Sequence, residues 1–390
     1  MKILIATSSF PPQVGGVAEV ARTQATGFVA RGHQVTVATG HDPTRTDAQS
    51  PPGVTVRQFQ VTGSLASGGC RGAVAAYQEF LVREPADVIL FHCWQDWAAD
   101  AAQPVLARRP GPKVLLSHGF DAQVWKRVPR FPWGLGVWWR SQPYVRRLPQ
   151  MMRAFDRLIF LSGQADAGRF YDVGVARRVC PERLAVIPNG VHLAEFKRDH
   201  GDFRKTHGLG PEPLLLNVAN YCERKNQLAT LRDFMATNRE DARLVFIGGE
   251  FNDYQRELMR EHGKLQRQFP KARVRCLEKI PKPQIYAAYQ AADAFMLGAK
   301  YETQPLAILD AMAAGVPFIS TDTGCVREFP GGLVVPSGDA TTHAIHRLLD
   351  EPALRQQLGA QGRAACETKY DWERVLDAYE RLFGELPPAR

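Results

Sequence analysis

The stretch YETQPLAILDAMAAG, residues 301–315, sets two carboxylates, Glu302 and Asp310, around a proline that opens an apolar run. Pro305 suits the first turn of a helix, where its missing N–H costs nothing, and Gly315 suits the stop. Glu302 then lies in the turn that feeds the helix, and Asp310 projects from its second turn. Two readings stand side by side. Glu302 caps or complements the helix dipole while Asp310 belongs to a solvated face, or both are acceptor-only groups that grip adjacent sugar hydroxyls while helix amides take a phosphate. In NVANYCERKNQ (217–227), Arg224 and Lys225 stand between a strand and a helix expected over 226–238. Cations there meet a diphosphate, or form a solvated basic loop. In SHGFD (117–121), His118 follows an apolar strand, either as a reactive group at a strand end or as a loop cap. In SSFPPQVGGVAEV (8–20), Gly15 and Gly16 open a helix. They let backbone N–H groups approach a phosphate, or they make an ordinary flexible loop.

The elements that must position these groups alternate. Apolar runs read as strands at 2–7, 33–40, 86–92, 113–119, 157–162 and 184–190, with a helix in AEVARTQATGFVARG (18–32) and Gly32 past its end. After a polar stretch at 192–213 the pattern resumes, with strands at 214–219, 243–248, 274–278, 293–298, 317–321 and 332–336. Strands alternating with helices imply βαβ units and parallel sheets. The expectation is an α/β chain of two doubly wound domains joined near 190–212. The ligand cleft then lies between them, outside the carboxyl ends of the strands.

Composition narrows the class. A chain of 390 residues, 45% apolar and 23% charged, holds two or three domains. No apolar stretch reaches the roughly 20 residues that span a bilayer, and MKILIATSSFPP reads as a strand and loop, not a signal peptide. Seven scattered cysteines without C-x-x-C spacing argue for reduced thiols in a cytoplasmic setting. Residues 1–200 hold 24 Lys+Arg against 15 Asp+Glu, and residues 201–390 hold 25 of each, so the whole excess of +9 sits in the first half.

Together these stretches resemble the retaining glycosyltransferases of family 4, which have the two-Rossmann GT-B fold. The family's paired acids, with seven residues between them and followed by a small-residue helix and a Gly-x-Pro turn, are matched by Glu302, Asp310 and AMAAGVPFIST. PPQVGGVAEVA looks like its N-terminal glycine loop, VIPNGVHLAEF (186–196) like its hinge segment, and SHGFD falls where it places a strand-end histidine. The resemblance implies an N-terminal Rossmann-like acceptor domain over 1–190 and a nucleotide-sugar-binding domain over 191–365, with a terminal helix in 366–390 packing back on the first. Asp310 would hold ribose hydroxyls and Glu302 those of the donor sugar. Amides around Thr303, Gln304 and Leu306 would face the sugar or diphosphate, and Gly15 and Gly16 would close over the phosphates. Lys225 matches the phosphate-binding lysine, and the residues around Cys276–Glu278 the base-contacting strand. His118 would position donor sugar or acceptor. Two positions depart from the pattern: Asn220 stands where an arginine is usual, leaving Arg224 to substitute, and Asp310 is one methylene shorter than the usual glutamate.

The implied reaction is transfer of a hexosyl group from a UDP-, GDP- or ADP-linked sugar to a glycan or lipid-linked acceptor, in polysaccharide or glycolipid synthesis. Retention of anomeric configuration is implied. There is no D-x-D in the chain to clamp a metal, so metal and cofactor are expected to be none, with fixed dipoles and Lys225 stabilising the leaving group. A sugar-nucleotide 2-epimerase on the same scaffold, and a binding protein without catalysis, are the alternatives. A nicotinamide oxidoreductase would need G-x-G-x-x-G after a strand, which neither half supplies. Finally, residues 121–156 carry seven basic residues and no acid between Asp121 and Asp156, with Trp125, Trp133, Trp138 and Trp139. That mixture, centred on 125–153, suits an anionic membrane surface, giving a cytoplasmic enzyme peripheral on the plasma membrane, or an interdomain core with solvated arginines. Single-stranded nucleic acid would use the same chemistry, but the mixed charge elsewhere argues against a nucleic-acid partner.

Overall fold

The computed structural model describes residues 1–46, 50–120, 133–165 and 169–387, with the side chains of 133–138 and of Arg140 also outside the description. The chain divides into two units, Met1–Asn189 with Val375–Arg390, and Gly190–Arg374.

The first unit is built on seven parallel strands: β1 (Lys2–Ala6), β2 (Gln34–Gly40), β3 (Val54–Phe59), β6 (Val88–His92), β7 (Lys113–Ser117), β8 (Arg157–Phe160) and β9 (Leu184–Val186). Their order is β3-β2-β1-β6-β7-β8-β9. A small antiparallel hairpin, β4 (Val61–Ser64) with β5 (Gly69–Gly72), lies apart from it. Central strands covered on both faces must be apolar throughout, and Ile3, Leu4 and Ile5 of β1 and Val88, Ile89, Leu90 and Phe91 of β6 are all buried. β3 and the β4–β5 hairpin are absent from the sequence expectation. They are polar and half exposed, so no apolar run announces them. The strand expected over 184–190 ends at Val186.

The first helix, Gly16–Ala30, buries Ala18, Val20, Ala21, Ala25 and Phe28. Its partner comes from the far end of the chain, in the helix Trp372–Gly384. Phe28 meets the Tyr379 and Phe383 rings at 6.2 and 5.8 Å between centroids. Arg31 bonds Asp377 and Glu380 at 2.7 Å each, and His33 Nε2 lies 2.7 Å from Glu380. Gly27 leaves room for this packing, since a Cβ there would lie 2.4 Å from Leu376 Cδ1.

The second unit repeats the plan with β10 (Leu214–Val218), β11 (Arg243–Gly248), β12 (Arg273–Glu278), β13 (Ala294–Leu297), β14 (Phe318–Ser320) and β15 (Gly332–Val334), all parallel, in the order β12-β11-β10-β13-β14-β15. Leu215, Leu244, Phe246 and Met296 of the sheet pack with Leu231 and Phe234 of the helix Gln227–Ala236 and Ile345 and Leu348 of the helix Asp339–Asp350. In each unit the strand order reverses once, at β1/β6 and at β10/β13, and in such sheets the crevice at the reversal receives the ligand.

Candidate active site

Gly15, Gly16, His118, Asn220, Arg224, Lys225, Glu302, Thr303, Gln304 and Leu306 lie in loops, or in the first turn of a helix, beyond the carboxyl ends of strands, whereas Asp310 lies in the second turn of its helix and Cys276–Glu278 within a strand. In the second unit three neighbouring strands contribute. After β10 comes the turn 219–226, held by Lys225 and Asn226 N–H groups that donate to the Cys222 carbonyl at 3.0 and 3.3 Å. Gln227 anchors the same turn, donating to the Ala219 and Asn220 carbonyls at 3.3 and 3.0 Å. Lys225 Nζ thereby reaches Glu302 Oε1 at 2.6 Å, while Arg224 stands 3.9 Å from the same oxygen. The Glu302 side chain is 8% exposed, Lys225 16% and Arg224 56%. The pair is therefore a half-hidden ion pair overlain by a second, solvated cation. The sequence assigns Lys225 and Glu302 separate tasks, whereas the structure pairs them with each other.

After β13 the turn carrying Glu302 feeds the helix Leu306–Ala313, and Pro305 supplies no side-chain cap. The first amides of a helix have no acceptor within it, so those of Leu306 and Ala307 add positive potential at this end. The turn is braced by the loop after β14. Glu302 N–H donates to Thr323 Oγ1 at 2.9 Å, and Cys325 N–H donates to the Thr303 carbonyl at 2.9 Å. Gly324, at φ +51, permits the approach: a Cβ there would sit 2.2 Å from Thr303 O and 2.5 Å from Glu302 O. Gln304 is buried and its side chain reaches the Cys325 thiol, which burial pushes up to about 12. Asp310 is half-buried in the second helical turn, within electrostatic reach of Tyr289 and Cys366. Asn220 is exposed, its Oδ1 about the Cβ position of Gly249 at 3.1 Å. Cys276–Glu278 end the edge strand β12, where Glu278 accepts from Phe251 N–H at 2.7 Å.

The first unit holds the remaining candidates. Gly15 precedes the helix Gly16–Ala30 with extended backbone, and a Cβ on it would meet nothing within 4 Å, so the space above it is open. Next to this loop Ser8 donates to Asp96 across the β1/β6 reversal. His118 leaves β7 on a turn pinned from both sides. Ser117 Oγ accepts from Gly119 N–H at 3.2 Å and donates to the buried Asp172 carboxyl at 2.5 Å. His118 Nε2 lies 3.2 Å from Nδ1 of His92, with the rings stacked at 5.2 Å. Burial pushes the His118 imidazole down to about 4, so the ring is neutral near pH 7.

His92, Thr323 and Gly324 are functional candidates that sequence reasoning missed. The rule applied to His118, a polar residue closing an apolar strand, applies equally to the histidine that ends ADVILFH and to the loop after PFIST. Beyond His92 the chain takes φ +67 at Cys93 and +57 at Gln95. Two non-glycine residues held there cost about 1–3 kcal/mol each, which proteins tolerate mostly at working sites. Of the tryptophans of 121–156, Trp139 is 70% exposed. Trp125 and the side chains of Trp133 and Trp138 lie outside the described residues, so the choice between membrane surface and core falls outside them too. No helix among the described residues is long and apolar enough to cross a membrane.

This arrangement has relatives. The D-inositol 3-phosphate glycosyltransferase of Corynebacterium diphtheriae is 28% identical over 254 residues, 56% of this chain and 53% of that protein. The aligned part is thus about half the length of such a curated relative. Among solved structures, sucrose-phosphate synthase from Thermosynechococcus elongatus matches with a TM-score of 0.78 at 22% identity, covering 98% of both chains. The Anabaena protein HepE in complex with UDP and glucose matches with a TM-score of 0.75 at 18% identity, covering 99% of this chain and 100% of that one. These two share the fold of two Rossmann-like domains. A family model of group 1 glycosyl transferases matches residues 199–365, and one of Glycosyltransferase Family 4 matches residues 14–195. Between them the two models take in the glycine loop, His118, Lys225, Glu302 and Asp310, and the chain belongs to the group 1, family 4 glycosyltransferases.

Proposed function

We propose that this protein is a metal-independent, retaining glycosyltransferase that moves a hexosyl group from a nucleotide-sugar donor to a glycan or lipid-linked acceptor. The observation that carries the reading is the Lys225–Glu302 pair, 2.6 Å apart beside the uncapped start of the helix Leu306–Ala313. A sugar leaving a nucleoside diphosphate passes through an oxocarbenium-like state while negative charge builds on the phosphate oxygen. Lys225, Arg224 and the first helix amides are fixed donors for that charge, and preorganised donors of this kind need no reorganisation during the reaction. When a diphosphate enters, it competes with Glu302 for Lys225. The carboxylate then turns its lone pairs to the donor-sugar hydroxyls, and it also balances the positive charge of the sugar ring. Asp310 takes the ribose hydroxyls. The basic, tryptophan-rich stretch 121–156 favours an acceptor anchored at an anionic membrane surface on the cytoplasmic side.

The test offers UDP-, GDP- and ADP-linked hexoses with lipid-linked and soluble glycan acceptors, with and without EDTA. HepE, also solved in complex with UDP-glucose, makes UDP-glucose the first donor tried. The expected result is nucleoside diphosphate release that depends on acceptor, survives EDTA, and gives a product with the donor's anomeric configuration. Inversion would sink the retaining mechanism, and loss of rate in EDTA restored by magnesium would sink metal independence. Epimerised sugar formed without acceptor would establish the epimerase reading instead. A thermal-shift comparison of UDP, GDP, ADP and dTDP identifies the base, since a ligand at about 100 times its Kd adds about 2.7 kcal/mol.

A further inference from the structure

We propose that His92 is a positioning residue that sets the tautomer of His118, so that His118 serves the reaction as a hydrogen-bond donor through Nδ1–H. The inference rests on the reading of His118 as a group that faces donor sugar or acceptor. His92 ends β6 and is fully buried. Its Nδ1 lies 3.2 Å from His118 Nε2, with the ring planes within 23° of each other. Its other nitrogen, Nε2, is buried and meets no hydrogen-bond partner among the described residues.

A neutral imidazole carries one N–H and one lone pair. Were the His92 proton on Nε2, a donor would be buried unpaired, a costly and rare condition. With the proton on Nδ1, only a lone pair is left unpaired, which folded proteins tolerate more readily. His92 therefore donates from Nδ1 to Nε2 of His118. Burial keeps both rings neutral, lowering the His92 imidazole well below its ordinary range. Since His118 accepts at Nε2, its single proton sits on Nδ1. Two consequences follow. His118 cannot take a proton from an acceptor hydroxyl through Nε2, because that lone pair is engaged. It offers a donor of fixed direction, because its backbone is pinned by the Ser117–Asp172 bond at 2.5 Å and its ring by His92. A donor so held stabilises oxygen, a sugar hydroxyl or ring oxygen, and does not select by charge.

The experiment uses full-length protein with 15N-labelled histidine, and long-range proton–nitrogen correlation spectra that separate pyrrole-type from pyridine-type ring nitrogens. His92→Leu and His92→Asn are compared with wild type, His118→Gln assigning the His118 signals. Expected in wild type are protonated Nδ1 on both rings and pyridine-type Nε2 on both. His92→Leu should release His118 to a mixture of tautomers and lower kcat about tenfold with donor KM little changed, the size of one lost hydrogen bond. His92→Asn, whose amide nitrogen occupies the place of Nδ1, should restore the His118 signature and most of the rate. A wild-type spectrum with the proton on Nε2 of His118 overturns the proposal, as does a His92→Leu protein whose His118 spectrum and kcat match wild type. Should His92→Leu fail to fold, the wild-type spectrum alone decides. Wild-type spectra as expected, with no sugar transfer from any donor, would count against the functional reading and leave the tautomer assignment standing.

Discussion

Lys225→Ala probes the centre of the proposed site, and the structure gives two separate magnitudes for it. Removing one partner of a buried pair typically costs about 3–5 kcal/mol, because the other charge is left without compensation. Here the Glu302 side chain is 8% exposed, but Arg224 stays 3.9 Å away and the site borders solvent. The cost should fall to about 1–3 kcal/mol, or about 2–10 °C in melting temperature for a unit of this size. The kinetic cost is independent of this: losing a fixed donor to a developing oxyanion is worth about 3 kcal/mol, roughly 100-fold in turnover. Adding Glu302→Gln separates the two. The double variant should be more stable than Lys225→Ala alone, because no orphan carboxylate remains, yet no more active. Thermal melts and a coupled assay for nucleoside diphosphate release measure both. A Lys225→Ala enzyme within about threefold of wild-type turnover would refute the reasoning, leaving the pair a structural one. An unmoved melting temperature would show that Glu302 does not depend on its lysine.

Gly15→Ala should leave the melting temperature unchanged, since the added methyl meets nothing within 4 Å and the backbone is extended. Donor affinity, read by titration calorimetry, should drop at least about tenfold if a diphosphate approaches there. Gly324→Ala should do the reverse, destabilising the second unit by about 2 kcal/mol or more, because φ is +51 and the new Cβ would lie 2.2 Å from Thr303 O; denaturant melts check it. His118 is neutral when folded, at about 4, against about 6.5 unfolded. Its contribution is therefore complete above pH 6.5 and lost as pH falls toward 4, at most about 3 kcal/mol. His118→Gln should flatten that limb of the stability–pH curve.

The sequence displayed the sheets well where burial makes strands continuously apolar, as in LLLNV of β10 and VILFH of β6. It was silent on β3 and the β4–β5 hairpin because half-exposed strands carry polar residues on one face and this stretch does not alternate cleanly. The individual site residues were legible by their places at strand ends. Their partnerships were not. Glu302 and Lys225 are brought together by the adjacency of β10 and β13 across the order reversal, a property of topology that no local pattern encodes. Thr323 and Gly324 escaped for the same reason, since their importance lies in which carbonyls they approach. The exposed place of Asn220, where the family's arginine is usual, follows from neither spacing nor propensity.

The helix that completes the hydrophobic face of the first unit is synthesised only after the whole second unit. Phe28 waits for Tyr379 and Phe383, with the whole Gly190–Arg374 unit translated in between. At elongation rates of about 5–20 residues per second, that interval lasts roughly 20–70 s. During it, an apolar helix surface stands uncovered on the nascent chain, a ready substrate for chaperones. A nonsense mutation between the end of β15 and the start of this helix would leave that surface permanently bare, so such truncated products should aggregate or be degraded even with both parallel sheets intact.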